Sequence, residues 1–304
     1  MSDKQTLVAF CVPTFKRPVI LKQCLLAISQ LNLPAKISTI IIVVDNDSDR
    51  TSEEVCNEIS PGLNQALHYY VEPNRGLCSV RNCLLQKAIQ HLADLIAFID
   101  DDEMPHKDWL TNIHNGLINY SVDIATGPVV PTKEIIPPNK FEVGHKYKTG
   151  DTPRYISTNN VIFKKRLVSE MELTFDPYYN FIGGEDFDYF ARASKLGCTA
   201  VWINEAVIFE KILPERQTFK YKLFRHYTGG INNVLRYKKT YSSLAAWLHF
   251  MPKILGKLTG SLTSLIKAVF SKHSKNMEKS YVKLASGVGY IAGLLNITRE
   301  RYRY

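Results

Sequence analysis

The chain has 304 residues, of which 45% are apolar and 22% charged, a balance that allows a sizeable core and excludes disordered, collagenous and coiled-coil classes. Its net charge of +9 is unevenly spread: residues 211–304 hold 18 lysines and arginines against Glu215, Glu278 and Glu300, or +15, which leaves −6 on residues 1–210. A mildly acidic body with a strongly basic tail implies two tasks.

The polar start Met1-Ser-Asp-Lys-Gln5 and the strand-sized apolar run after it are not read as a secretory leader. Six cysteines, Cys11, Cys24, Cys56, Cys78, Cys83 and Cys198, form no CxxC pair. They read as reduced core thiols of a cytosolic protein rather than as a zinc or disulfide framework. Leu7–Val12 is a short apolar run closed by Pro13, Leu21–Leu31 has helical spacing, and Ile37–Val44 is a continuous β-branched run. Uninterrupted runs of this kind suit strands buried on both faces. A third strand is expected over Leu67–Val71, a helix over Ser79–Leu92 after the turn Asn74-Arg-Gly76, and a fourth strand over Leu95–Ile99. This alternation predicts the α/β class with a mostly parallel sheet, in which ligands bind beyond the carboxyl ends of the strands. Those ends carry Thr14, Asp45–Asp49, Glu72 and Asp100–Glu103.

Residues 123–210 are less regular, with turns at Gly127-Pro128, Pro137-Pro138 and Gly150–Pro153. Strands are expected over Tyr155–Phe163 and Thr199–Ile203, bracketing a helix that starts near Gly183-Gly-Glu-Asp186 and stops at Gly197. After Glu210 the pattern turns helical.

Asp100-Asp-Asp-Glu103 packs four carboxylates at a strand end, a repulsion that Mg²⁺ or Mn²⁺ relieves by taking oxygen ligands from one or two of them and from substrate phosphates. An acidic loop capping the next helix is the plainer reading. Asp45-Asn-Asp-Ser-Asp49 could hold a base or ribose, or form an ordinary turn and helix cap. Arg75 and Arg81 flank a glycine turn entering a helix, where a phosphate or base would find a cation and free N–H groups; a surface ion pair fits as well. At Gly183-Gly-Glu-Asp186, two glycines allow close backbone approach and two acids stand at a helix N-terminus, which favours their ionised forms. An ionised carboxylate there can serve as general base. Glu210 either lines the site or pairs with a lysine.

In this order, these elements resemble family 2 glycosyltransferases. The matching letters are Cys11-Val-Pro-Thr14, Val44-Asp-Asn-Asp-Ser48, Asn74-Arg-Gly followed by Val80-Arg-Asn82, Phe98-Ile-Asp-Asp-Asp102, and Gly184-Glu-Asp186 before a helix containing Arg192. Val207, Glu210, Pro214, Arg216, Arg225 and Gly229 resemble a bacterial branch with succinoglycan-type glucosyltransferases. The resemblance spans about residues 5–235 and implies an inverting enzyme with the GT-A fold, a Rossmann-like nucleotide-sugar-binding α/β domain. It assigns the nucleotide to Pro13, Thr14, Asp45, Asn46, Arg81, Asp100 and Asp101, the metal, Mn²⁺ or Mg²⁺, to Asp102, and the catalytic base to Asp186. Glu185 and Glu210 become acceptor-side candidates. Asn46 stands where a second acid is common, which loosens the usual preference for uridine.

The expected organisation is a catalytic domain over 1–240, with a nucleotide-binding half 1–125 and an acceptor half 126–240, and a basic amphipathic helical region over 241–304. In that region Leu244, Leu248, Met251, Leu255, Leu258, Leu262, Leu265 and Val269 recur at three- and four-residue steps, with an interruption expected at Pro252. A second helix, Val282–Leu295, precedes the basic run Arg299–Arg303. The longest uncharged stretch, Leu284–Thr298, has 15 residues, short of the roughly 20 that span a bilayer. Such a tail suits the anionic inner face of the cytoplasmic membrane, and the resemblance implies a nucleotide-diphosphate sugar as donor and a glycan or lipid-linked acceptor as partners. The rival readings are a nucleic-acid binder and a nucleotidyltransferase or sugar-nucleotide-binding module without transfer. The first lacks a recognition motif, and a phosphate backbone offers an apolar stripe no partner.

Overall fold

The computed structural model describes residues 5–133, 146–271 and 274–297. The turn expected at Pro137-Pro138 and the basic run Arg299–Arg303 lie outside them. Contacts divide the chain into two units: Met1–Asn180 with Glu185–Lys211, and Phe181–Gly184 with Ile212–Tyr304.

The first unit alternates as its sequence predicts. β1 (Thr6–Thr14), α1 (Pro18–Ser29), β2 (Ile37–Asp45), α2 (Glu53–Ile59), β3 (Ala66–Val71), α3 (Leu77–Gln90) and β4 (Leu95–Phe98) come first. β5 (Glu103–Pro105), α4 (Trp109–Asn119), β6 (Ile124–Thr126) and β7 (Val129–Thr132) follow, then β8 (Val161–Lys164), α5 (Arg166–Ser169), α6 (Glu185–Lys195), β9 (Ala200–Trp202) and β10 (Ile208–Lys211). Among the described residues, seven strands form the main sheet in the order β3-β2-β1-β4-β8-β6-β9. β8 runs against both its neighbours, and the other pairings are parallel.

The continuous apolar runs are explained by this arrangement. β1 is buried on both faces: Val8, Phe10 and Val12 meet the apolar sides of α1 (Leu21, Leu25, Ile28) and α4 (Trp109, Ile113, Leu117), while Ala9 and Cys11 are covered on the opposite face. Pro13, which has no N–H to donate, sits past the last β1–β4 pair, Cys11 with Phe98, where the sheet no longer asks for one. Tyr155–Phe163 proves mostly irregular, with a strand only from Val161. Its neighbour Asn160 explains why: the side chain accepts from Trp109 Nε1 (2.8 Å) and donates to the carbonyls of Pro128 (2.9 Å) and Ala206 (2.8 Å). A buried amide satisfied on three sides pins non-regular backbone that no ladder supports.

A second sheet, β5-β10-β7, places Glu103 opposite Glu210. Glu210 therefore lies in a strand, and the helical part begins later than the sequence pattern suggests.

The described residues of the second unit form three long helices, α7 (Phe219–Thr240), α8 (Ser243–Ser271) and α9 (Ser274–Leu294). α7 thus groups with the tail helices. α8 corrects one expectation: it runs through Pro252 unbroken. Pro252 is exposed, so the carbonyl it leaves without an N–H faces water, and packing of Phe250 and Ile254 on either side holds the helix together. α7 and α9 meet along small residues. A Cβ on Gly289 would lie 2.1 Å from the Tyr227 carbonyl oxygen, and one on Gly230 would lie 2.7 Å from that of Ser286, whereas one on Gly256 would touch nothing. Gly289→Ala is expected to lower the melting temperature, with a cost of about 1–3 kcal/mol from overpacking. Gly256→Ala, in an exposed helix interior, should instead hold or raise it. Equal melting temperatures for the two variants would contradict the close seam.

Candidate active site

At the carboxyl end of β4 the chain turns through Asp100–Asp102 into the second sheet. The Glu103 carboxylate folds back to accept from the Asp100 backbone N–H (2.7 Å), and Lys211 N donates to the Asp102 carbonyl (2.8 Å). Thr14, at the end of β1, donates through Oγ1 to Asp101 (2.8 Å). Arg17, three residues further on, spans the pair: Nη2 reaches Asp101 and Nη1 reaches Asp102, each at 3.0 Å. The sequence pattern does not single out Arg17. A signal for it exists all the same, since a cation three residues past a ligand-side strand end, next to four acids, is a natural counter-charge. Burial pushes the Asp101 carboxyl up to about 7, opposed by Arg17, and burial also raises Asp100 and Glu103.

The second cluster joins this one from the side. Arg81, buried in α3, donates to the Glu185 carboxylate through Nη1 and lies 3.7 Å from Asp100. Burial would lower the Arg81 pKa, but Glu185, Asp100 and Asp186 reverse that and hold it raised. Glu185, expected on the acceptor side, is only 4% exposed and faces inward to Arg81. Asp186, beside it at the first turn of α6, is half-buried and accepts from the Phe187 N–H (2.7 Å). Burial and the neighbouring Glu185 charge raise its carboxyl to about 6, against the pull of Arg81. The preceding glycines have φ of 82° and 95°, a backbone that side chains with a Cβ avoid, and a Cβ on Gly184 would meet no atom. Conformation rather than space demands glycine there.

The acidic loop after β2 is organised inward. The Asp45 carboxylate, fully buried, accepts from Asp47 N (3.2 Å), Ser52 N (3.0 Å) and the Tyr69 hydroxyl (3.0 Å), and burial raises its pKa. Asn46 donates to the carbonyls of Glu72 and Asn74 and accepts from Gly76 N, so its amide shapes the turn leading into α3. Arg75 lies over the Phe15 ring at 3.8 Å. Thr14, Asp45, Asn46, Arg81 and Asp100–Asp102 thus all stand at the carboxyl ends of β1, β2 and β4 or the start of α3. Glu210 stands beside Glu103 on the second sheet.

The donor set at Asp100–Asp102 consists of oxygen atoms alone, which fits a hard divalent cation. Among the described residues no three acidic, His or Cys groups form a ready-made cage, and Mg²⁺-type sites need only one or two carboxylates when phosphates supply the rest. Arg17 already shows that the Asp101 and Asp102 carboxylates converge on a cation.

A cavity of about 590 Å³ lies along the flank of α6, lined by Tyr155, Phe187, Phe190, Ile124 and Arg154 among others.

Three kinds of likeness to known proteins agree with this geometry. The chain is 25% identical over 243 residues to the succinoglycan biosynthesis protein ExoM of Rhizobium meliloti, covering 78% of this chain and 77% of that one. The solved structure of the mannosyltransferase PcManGT from Pyrobaculum calidifontis, in complex with GDP-Man and Mn²⁺, superposes with a TM-score of 0.62 at 14% identity, over 97% of this chain and 88% of that one. Residues 1–349 of S. aureus TarS in complex with UDP superpose with a TM-score of 0.56 at 14% identity, over 93% and 92% of the two chains. The fold is therefore GT-A, as the resemblance implied. Residues 9–170 match the profile described as Glycosyl transferase family 2, and the chain belongs to that family of transferases.

Proposed function

We propose that this family 2 enzyme is an inverting, divalent-metal-dependent glycosyltransferase that moves a sugar from a nucleotide-diphosphate donor, with UDP-sugars favoured, to a hydroxyl of a glycan or lipid-linked acceptor during assembly of a cell-surface polysaccharide or lipooligosaccharide. The observation that carries it is the Arg81 bridge: one buried cation ties the aspartate turn, the natural place for a diphosphate and its ion, to the acid-bearing start of α6. The neighbours with UDP or with GDP-Man and Mn²⁺, and the succinoglycan relative, support the donor and product classes.

Asp102, with Asp100 and Asp101, would hold Mn²⁺ or Mg²⁺, which when bound neutralises charge on the leaving diphosphate. Thr14 and Arg17 fix the orientation of the Asp101 and Asp102 carboxylates. Asp186 takes the proton of the acceptor hydroxyl as that oxygen attacks the anomeric carbon from the face opposite the diphosphate. A single displacement inverts that centre. Pro13, Thr14, Asp45, Asn46 and Arg81 build the nucleotide end of the site. Such an acceptor places the enzyme at the inner face of the cytoplasmic membrane, and the cationic C-terminal unit suits that surface.

Thermal-shift measurements with UDP, GDP, CDP and ADP, with and without Mn²⁺, test the donor site. One nucleotide should raise the melting temperature only with metal, and Asp102→Ala should remove the shift. A shift that survives Asp102→Ala unchanged would move the metal elsewhere.

A further inference from the structure

α8 and α9 pack antiparallel: Ser261 shares hydrogen bonds with Ser280, Lys283 donates to the Gly260 carbonyl, and the Phe250 and Tyr290 rings lie 5.2 Å apart, so residue numbers fall on one helix as they rise on the other. The buried side of α8 (Ala246, Phe250, Ile254, Ser261, Ser264, Ala268) faces this partner. Its apolar stripe does not. Leu244, Leu248 and Val269 are 69–70% exposed, and Met251, Leu255, Leu262 and Leu265 also stand in solvent. α9 carries a matching row, Met277, Tyr281, Leu284 and Val288, again exposed.

On each helix the stripe lies about a third of a turn from the edge that packs on the other. Because the helices are antiparallel, these rotations bring both rows to one side of the hairpin. The glycine seam with α7, through Gly289 and Gly293, occupies the other side of α9. The hairpin therefore presents an apolar floor about 40 Å long. Monomers rarely expose so large an apolar patch without a partner for it.

We propose that this floor lies in the interface of an anionic phospholipid membrane, with α7 turned away from it. Charge decides the occupant. Residues 211–304 hold 18 cations against three acids, and Lys253 and Lys267 on α8 are exposed off the stripe. A second copy of the same face would bring two strongly positive units together, whereas acidic headgroups complement the charge and acyl chains cover the leucines. The inference deepens the membrane-face reading above and stands apart from the transfer chemistry.

The test is flotation of the full chain with vesicles of phosphatidylcholine, alone or mixed with phosphatidylglycerol, together with quenching by brominated lipid. Trp247, 36% exposed beside the stripe, is the reporter, since Trp109 and Trp202 are buried. The wild-type chain should float with the mixed vesicles and Trp247 should be quenched. The triple variant Leu248→Asp, Leu255→Asp, Leu262→Asp should partition at least about a hundredfold less, and Leu284→Asp with Val288→Asp should weaken binding likewise. All these sites are exposed, and a retained nucleotide-induced thermal shift in the variants confirms an intact catalytic unit, so failure of docking and failure of the donor reading are distinguishable. Undiminished flotation of the triple variant, flotation without Trp247 quenching, or a wild-type dimer in solution that the aspartates dissociate would each overturn the proposal.

Discussion

Asp186→Asn is expected to abolish sugar transfer while the nucleotide still binds. The asparagine keeps the shape and can still accept from the Phe187 N–H, but it takes up no proton, and loss of a general base costs about 10²- to 10⁴-fold in rate. Retained donor affinity is expected because Thr14 and Arg17, which orient Asp101 and Asp102 at the proposed diphosphate end, make those bonds without Asp186. The pH profile supplies a second signature. With the Asp186 carboxyl raised to about 6, the ionised, proton-accepting form is lost as pH falls through that value, so kcat/KM should climb through pH 6 to a plateau. Turnover by Asp186→Asn equal to that of the parent would remove the residue from this role.

Glu185→Ala should be the most destabilising single change near the site. It leaves Arg81, 5% exposed, with Asp100 at 3.7 Å as its ion-pair partner and with the nearby charge of Asp186. Removing one member of a buried pair costs about 3–5 kcal/mol, and the bond to Asp100 keeps the expected loss near the lower end, a fall of roughly 10 °C in melting temperature. The double change Arg81→Met with Glu185→Met should recover much of that loss, because an apolar pair of similar size carries no desolvated charge. A merely structural role for Glu185 would leave the pH profile in place. Here the profile should move: Glu185 is one of the causes that raise the Asp186 pKa, so without it the acid limb should shift to lower pH in the surviving enzyme. An unshifted limb would show that Glu185 does not act on Asp186.

Much of the first unit was legible in the sequence because its strands are buried on both faces, and an unbroken β-branched run such as Ile37–Val44 fits neither an amphipathic helix nor a half-exposed strand. The expected helices and the strand-end positions of Thr14, Asp45 and Asp100–Asp102 follow from the same alternation. The second sheet was not legible. β5, β7 and β10 are three or four residues long, too short to show a period, and the pattern alone starts the helical part straight after Glu210. Asn160 and Arg17 escape for another reason: their significance lies in partners distant in sequence, Trp109 and Ala206 for one and Asp101 and Asp102 for the other. In the tail, spacing reveals the α8 stripe but not its exposure, and Pro252 carries more weight as a breaker than a well-packed helix allows.

Only Ile99 to Asp102 separate the end of β4 from the start of β5, and these two strands belong to different sheets. A deletion in that link would have to break one ladder or the other. The turn proposed to hold the diphosphate thus has its length set by two ladders at once. Changes of chain length within this lineage should therefore spare the four-residue bridge.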